Sequence, residues 1–136
     1  MSKVTHFEIA ANDPEKLAKF YTDTFGWEIK EWKQGEVTDE SKRYWLIKAG
    51  SKEEMGANGG MYKRQEPLAS GGPNAYVCNI AVDDIEKAVE MIKANGGTTK
   101  EIMNIPKVGK SAAAVDPEGN MFAVFWSDPN GMMQDM

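Results

Sequence analysis

The chain has 136 residues, a formal net charge of −5 and a pI near 4.9. This size suits one ordinary domain, and the acidic balance argues against a nucleic-acid partner. No apolar run reaches the ~18 residues of a membrane span, and Cys78, the single cysteine, excludes an internal disulfide. The first residues lack a basic segment followed by an apolar run, so we expect a cytoplasmic protein.

The first predicted element is a half-buried strand over residues 4–11. Its apolar and polar residues alternate, which places Phe7 and Ile9 on one face and His6 and Glu8 on the other. We expect the apolar pair to pack beneath a helix, which leaves His6 and Glu8 on the opposite side of the sheet.

A helix should follow this strand. Asp13 is a suitable N-cap, Pro14 suits the first helical position, and Gly26 can end the helix after Phe25. Three further strands are predicted over residues 27–33, 43–49 and 57–63, with the polar stretch 34–42 between the first two of them.

The stretch from 64 to 74, rich in proline and glycine, reads as a connection. Beyond it the pattern repeats. A strand is predicted over 75–82, then a helix with its apolar stripe at Ile85, Ala88, Val89 and Ile92, ended by Gly96-Gly97. Strands should follow at 98–105, 111–115 and 121–126, with a tight turn at 116–120 and a frayed tail beyond.

The two halves are related by an internal repeat. Sliding the sequence by 71 positions lays residues 12–20 over 83–91, and Phe25-Gly26 over Gly96-Gly97. We therefore predict one domain over 1–136, in which two similar modules of about 3–63 and 75–127 are joined by the linker 64–74 and followed by the tail 128–136.

Several short motifs carry a family resemblance over nearly the whole chain. They are His6-Phe7-Glu8-Ile9, Asp13-Pro14 through Phe20-Tyr21, Phe25-Gly26-Trp27, Gly59-Gly60-Met61 and Asp116-Pro117-Glu118-Gly119. With them the chain resembles the vicinal oxygen chelate superfamily of glyoxalase I, bleomycin-resistance proteins and ring-cleaving dioxygenases, and within it a subgroup related to lactoylglutathione lyase. The resemblance implies an α+β fold of two tandem βαβββ modules that form a cupped, barrel-like mixed sheet with helices outside, and it implies a homodimer.

The resemblance also implies a divalent metal held by side chains of the first and last strands of each module. His6, the only histidine, matches the first ligand, but the repeat places Val77 at its counterpart, and the acidic ligand position falls on Ala123. The corresponding strand of the first module offers only Asn58 to Met61. Most of the expected ligands are therefore missing, so we expect no cofactor, and a divalent metal held weakly by His6 and Glu8 is the disfavoured alternative.

The cleft implied by the fold should combine polar and apolar groups. Its predicted lining is His6, Glu8, Trp45 or Tyr44, Met61, Asn79, Met121 and Phe125.

Three classes of function remain open. The first is a small-molecule-binding protein, for a drug or a metabolite, with a degenerate metal site. The alternative is a metal-dependent lyase or isomerase resembling lactoylglutathione lyase, with an unconventional site around His6 and Glu8, the two candidate catalytic residues. The third is a structural or regulatory dimer whose cleft is filled by its own side chains.

Overall fold

The computed structural model describes residues 6–33, 40–51, 53–65 and 76–131. Two compact units divide the chain, Met1–Pro67 and Leu68–Met136. Their boundary falls in the predicted linker, of which residues 66–74 lie outside the described residues, as do 4–5, 34–39, 75 and 132–136. That both modules belong to one domain stays a prediction.

The first unit has the predicted order of strand, helix and three strands. The strands are β1 (His6–Ala11), β2 (Glu28–Glu31), β3 (Tyr44–Lys48) and β4 (Asn58–Lys63), with helix α1 (Pro14–Phe25) after β1 and one turn of 3-10 helix (Glu40–Lys42) before β3. They form a mixed sheet in the order β1-β4-β3-β2, in which β1 runs parallel to β4 and the other pairs are antiparallel.

Helix α1 begins and ends where the sequence predicts. The Asp13 side chain accepts a hydrogen bond from the backbone N–H of Lys16 at 3.2 Å, which satisfies one of the free donors of the first turn. At the other end Gly26 adopts a left-handed conformation with φ of 76°, which a residue without Cβ tolerates best.

One face of the first sheet packs in an aromatic core with this helix. Tyr21 of α1 stacks on Trp27 with ring centroids 5.0 Å apart, and Phe7 of β1 lies 5.6 Å from Trp27. Phe7 therefore faces the helix, as predicted from the alternation along β1.

The second unit repeats this α+β arrangement, with a shorter first strand and a shorter helix. Its strands are β5 (Asn79–Ala81), β6 (Thr98–Thr99), β7 (Met103–Ile105), β8 (Gly109–Val115) and β9 (Met121–Ser127), and its helix is α2 (Ile85–Ala94). The order is β5-β9-β8-β6, β7 also pairs with β8, and β5 runs parallel to β9. The buried side chains of α2 are Ile85, Val89 and Ile92, all on the predicted stripe.

The predicted strand 98–105 is interrupted. Thr99 lies opposite Ala114 and Met103 opposite Ser111, so three residues on the outer strand span two on β8. One extra residue on one strand is the definition of a β-bulge. Because the side-chain period of a strand is two, the bulge reverses the face of the residues that follow it.

The turn between β8 and β9 is confirmed. The buried Asp116 carboxylate accepts hydrogen bonds from the backbone N–H groups of Glu118 and Asn120 at 2.9 and 3.0 Å and from the Asn120 side chain at 2.9 Å. Gly119 supplies the left-handed residue with φ of 91°. The hairpin is thus closed by one carboxylate that binds three donors.

The repeat is visible in matched helix caps. Asp84 accepts from the backbone N–H of Lys87 at 3.1 Å, as Asp13 does from Lys16 in the first unit. These residues are related by the same shift of 71 positions found in the sequence.

We expect Asp84→Ala to lower the free energy of unfolding by about 1 kcal/mol, the usual cost of losing an N-cap oxygen. Urea denaturation of the purified variant measures this. Asp83→Ala removes the neighbouring exposed carboxylate and should change stability by less than about 0.5 kcal/mol. Equal effects of the two variants would contradict the capping role.

An ion pair ties β2 to the start of β3. Arg43 donates from Nε to Glu31 Oε2 and from Nη2 to Glu31 Oε1, both at 2.8 Å, and its guanidinium carbon lies 4.8 Å from the centroid of the Trp45 ring. The hydrogen bonds and charge of Arg43, together with nearby Lys33, lower the pKa of Glu31 to about 2.

This pKa predicts a pH-dependent contribution to stability. A carboxylate whose pKa is lower in the folded protein stabilises it above the unfolded pKa of about 4.5, and the contribution is lost as the pH falls toward about 2. The difference in urea midpoint between the wild type and Glu31→Gln should therefore be present at neutral pH and shrink through this range. Glu28→Gln, on the same strand, is the control, because Glu28 forms no ion pair within the described residues; a parallel pH dependence for both variants would contradict the assignment.

Candidate functional site

Strand alternation and register define a mixed polar and apolar face on the first sheet. Glu8 lies opposite Gly60, Gly60 opposite Leu46, and Tyr44 opposite Tyr62. Residues paired across neighbouring strands share a face. We call the surface formed by His6, Glu8, Tyr44, Leu46 and Tyr62 the Tyr44 face; it is the opposite side of the sheet from Phe7.

Three polar side chains of this face form one hydrogen-bonded cluster. The Tyr44 hydroxyl donates to Glu8 Oε2 at 2.7 Å, and the Tyr44 hydroxyl oxygen lies 2.9 Å from Nε2 of His6. The cluster therefore connects β3 with β1, which are not neighbours in the sheet.

Gly60 makes this connection sterically feasible. A Cβ atom at position 60 would lie 1.8 Å from the Tyr44 hydroxyl oxygen and 2.1 Å from its Cζ atom. The Tyr44 side chain thus passes over β4 at Gly60, which has no side chain on this face, and its hydroxyl reaches β1 beyond it. Here glycine is required by close approach and not by its backbone angles.

The environment keeps Tyr44 protonated. Partial burial, the hydrogen bond to Glu8 and the negative charge of Glu8 raise the pKa of Tyr44 to about 12. At neutral pH the phenol is therefore a neutral hydroxyl that donates its proton to Glu8, and it does not act as a phenolate base.

The structure separates two of the predicted lining residues from this cluster. Trp45 and Met61 lie opposite each other in the pairing of β3 and β4, with 5% and 0% exposure. Both are on the face packed toward α1, since Arg43, which covers Trp45, also contacts Glu15 of that helix. Of the two alternatives on β3, Tyr44 and not Trp45 joins His6 and Glu8, and Met61 is a core residue.

The predicted lining residues of the second module share one face of their own sheet. Asn79 lies opposite Ala123, and Phe125 is two residues further along β9 on the same side, as Met121 is in the other direction. The alternate residues Phe122 and Val124 are buried at 3% and 0% exposure. Asn79 is exposed and Met121 and Phe125 are partly exposed, so these three remain candidates for ligand contact.

The residues present do not fit the metal site that the family resemblance implies. The register pairs Glu8 with Gly60 in the first sheet and Asn79 with Ala123 in the second, so neither last strand carries a ligand at this position. His6 Nε2 and Glu8 Oε2 are both bonded to Tyr44. Across the described ranges, no three His, Cys, Asp or Glu side chains come together as a metal-binding group.

Cys78 adds no ligand of its own. Although the residue is exposed, partial burial of its sulfur raises the pKa of the thiol, which disfavours the thiolate that metals bind.

With β6 and β7 counted as one interrupted strand, both units have the order strand-helix-strand-strand-strand with parallel first and last strands. This order defines a tandem βαβββ protein, and comparison with known sequences agrees. The family model described as the Glyoxalase/Bleomycin resistance protein/Dioxygenase superfamily matches residues 3–124. The chain belongs to this superfamily.

Individual relatives differ in their described activities. A glyoxylase-like domain-containing protein of Didymella fabae is 29% identical over 126 residues, which cover 90% of this chain and 91% of that protein. The structure of TnmS3, an antibiotic-binding protein from Streptomyces sp. CB03234, has a TM-score of 0.61 at 19% identity and covers 94% of this chain and 98% of its own.

A fosfomycin resistance protein, FosX from Listeria monocytogenes, was solved as a mutant with Mn(II) and a dihydroxypropylphosphonic acid. Its TM-score is 0.68 at 14% identity, with 95% of this chain and 93% of its own covered. Structural likeness at these identities shows the shared fold alone.

The described part of the chain contains no helix long and apolar enough to cross a membrane.

We expect Gly60→Ala to displace Tyr44 and break its hydrogen bond to Glu8. The added methyl group clashes with the hydroxyl, so the pKa of Tyr44 should fall from about 12 toward the ordinary value of about 10. Ultraviolet absorbance titration of the tyrosines measures this, and Tyr44→Phe identifies which of the four transitions belongs to Tyr44. The variant should also lose about 1–3 kcal/mol of stability. An unchanged high-pH transition would show that Tyr44 does not cross Gly60.

Proposed function

We propose that this chain binds a small organic molecule on the Tyr44 face, without a protein-bound metal ion. The observation that carries the proposal is the His6–Tyr44–Glu8 cluster, in which a tyrosine hydroxyl joins the two side chains that a metal would need. Bridged in this way, the pair offers fixed polar atoms to a ligand instead of coordination sites.

The surroundings of the cluster support a binding role. Leu46 is 48% exposed on the same face, and Tyr62 lies opposite Tyr44. Small-molecule sites combine apolar and aromatic surface with a few placed polar groups, and this face has that composition. A related fold serves antibiotic binding in TnmS3, whose name describes that role.

A metal-dependent lyase or isomerase is the less favoured proposal. Glyoxalase-type isomerisation needs a Lewis acid that polarises the substrate oxygens. To bind such a metal ion, His6 and Glu8 would have to give up their hydrogen bonds to Tyr44, and further metal ligands would be needed. The high pKa of Tyr44 also keeps this residue from acting as a phenolate base in such a reaction. Cytoplasmic location and the homodimer stay predictions.

The test is a fragment screen by saturation-transfer difference NMR on protein dialysed against EDTA. We expect fragments whose signal is unaffected by EDTA and whose affinity falls about tenfold or more in Tyr44→Phe, the loss of one well-made polar contact. Leu46→Ala should weaken the same fragments through lost apolar contact. Met55→Ala is the control, since Met55 is fully exposed in the loop before β4.

Two results would overturn the proposal. One is a screen without any fragment that responds to Tyr44→Phe or Leu46→Ala. The other is turnover of the hemithioacetal of methylglyoxal and glutathione that appears with nickel, cobalt or zinc and disappears in His6→Ala, which would establish the metal-dependent alternative.

A further inference from the structure

We infer that the Tyr44 face selects organic cations that donate hydrogen bonds, of the ammonium or amidinium type. This rests on the proposed binding function and names the ligand class. The argument starts from the protons of the cluster, because they fix which atoms are left for a ligand.

The hydroxyl of Tyr44 has one proton, and this proton is used in the hydrogen bond to Glu8. A carboxylate only accepts hydrogen bonds, so the 2.7 Å contact requires Tyr44 to donate to Glu8. The contact between Tyr44 and His6 then requires Nε2 of His6 to carry the proton and donate to the tyrosine oxygen. Both donors of the cluster are therefore used inside it.

The atoms left over are acceptors. Within the described residues, neither Oε1 of Glu8 nor Nδ1 of His6 has a hydrogen-bond partner, and both side chains are exposed. In the neutral ring with a proton on Nε2, Nδ1 accepts. A ligand thus meets one anionic and one neutral acceptor, which suits a donor and rejects a carboxylate or phosphonate.

The charges around the cluster support a cationic donor. Lys30 lies on the same face, in register with Glu8 but three strands away, about 14 Å at ~4.8 Å per strand, which exceeds a Debye length of ~8 Å. Lys48 is two strands from β1, about 10 Å, and has Glu28 directly opposite. Arg64 is a closer cation, since its guanidinium donates to the Ala10 carbonyl oxygen on β1, two residues from Glu8, at 2.9 Å. The charge in direct contact with Tyr44 is that of Glu8, through the hydrogen bond from the hydroxyl.

The aromatic surface adds to the same preference. The Tyr44 ring spans Gly60 and its hydroxyl contacts Glu8, and Tyr62 is the cross-strand neighbour of Tyr44 on the same face. A ring face attracts cations, and it does so for planar amidinium groups as well as for ammonium groups.

Three probes with the same ring test the inference. Benzamidinium, benzamide and benzoate differ in charge and in donors but hardly in shape. In NMR titrations of the whole chain, benzamidinium should bind about tenfold more tightly than benzamide, and benzoate should be weakest. Glu8→Gln should reduce benzamidinium binding to the level of benzamide, while Glu28→Gln should leave all three affinities unchanged.

The salt dependence of the wild type provides a second measurement that needs no variant. Benzamidinium affinity should fall as ionic strength rises from about 0.05 to about 0.5 M, and benzamide affinity should stay constant. Equal affinities of the three probes, or tightest binding of benzoate, would overturn the inference. Other fragments from the screen that respond to Tyr44→Phe or Leu46→Ala would still support the proposed binding function. Absence of binding by the probes and by every fragment would overturn both.

Discussion

The register between β1 and β4 is the constraint on which the Tyr44 face depends. It places Glu8 beside Gly60, and the missing side chain there lets a tyrosine from β3 extend across β4 to the far edge strand. A slip of one residue that brought Met61 opposite Glu8 would place a side chain at this point and close the passage. The hydrogen bonds of Tyr44 to His6 and Glu8 follow from this arrangement, and with them the polarity of the surface.

Much of the fold could be predicted because the relevant signals are local. Asp13 and Asp84 cap helices through hydrogen bonds three residues away, and Gly26 ends α1 through its own backbone angle. The interrupted strand near residue 100 could not be predicted, because a bulge depends on the pairing partner and leaves no pattern in its own sequence. Predicting the helix caps requires only residues that are neighbours in the sequence, whereas predicting the bulge requires the pairing of its strand with β8.

The candidate site was predictable in part for the same reason. His6 and Glu8 were placed correctly on one face of β1 by alternation alone. On β3, Tyr44 and Trp45 are adjacent aromatic residues, and alternation alone does not decide which of them faces the side of Glu8. The pairing with β4 shows that Tyr44 shares the face of Glu8 while Trp45 is in the core. The Gly59-Gly60 pair is a sequence signal for a close approach by another group, but adjacent glycines lie on opposite faces of the strand, so it does not choose between Tyr44 and Trp45.

The bulge between β6 and β7 has a consequence for how this chain tolerates change. Before it, Thr99 faces the side of Ala114; after it, Met103 and Ile105 face the side of Ser111. Loss of a single residue from 100–102 would restore a regular ladder in which Met103 still lies opposite Ser111 and Ile105 opposite Gly109, so both apolar side chains would keep their present surface. This edge is therefore permissive for the loss of one residue, whereas the loss of two would leave a single residue opposite two on β8 and break the present pairing.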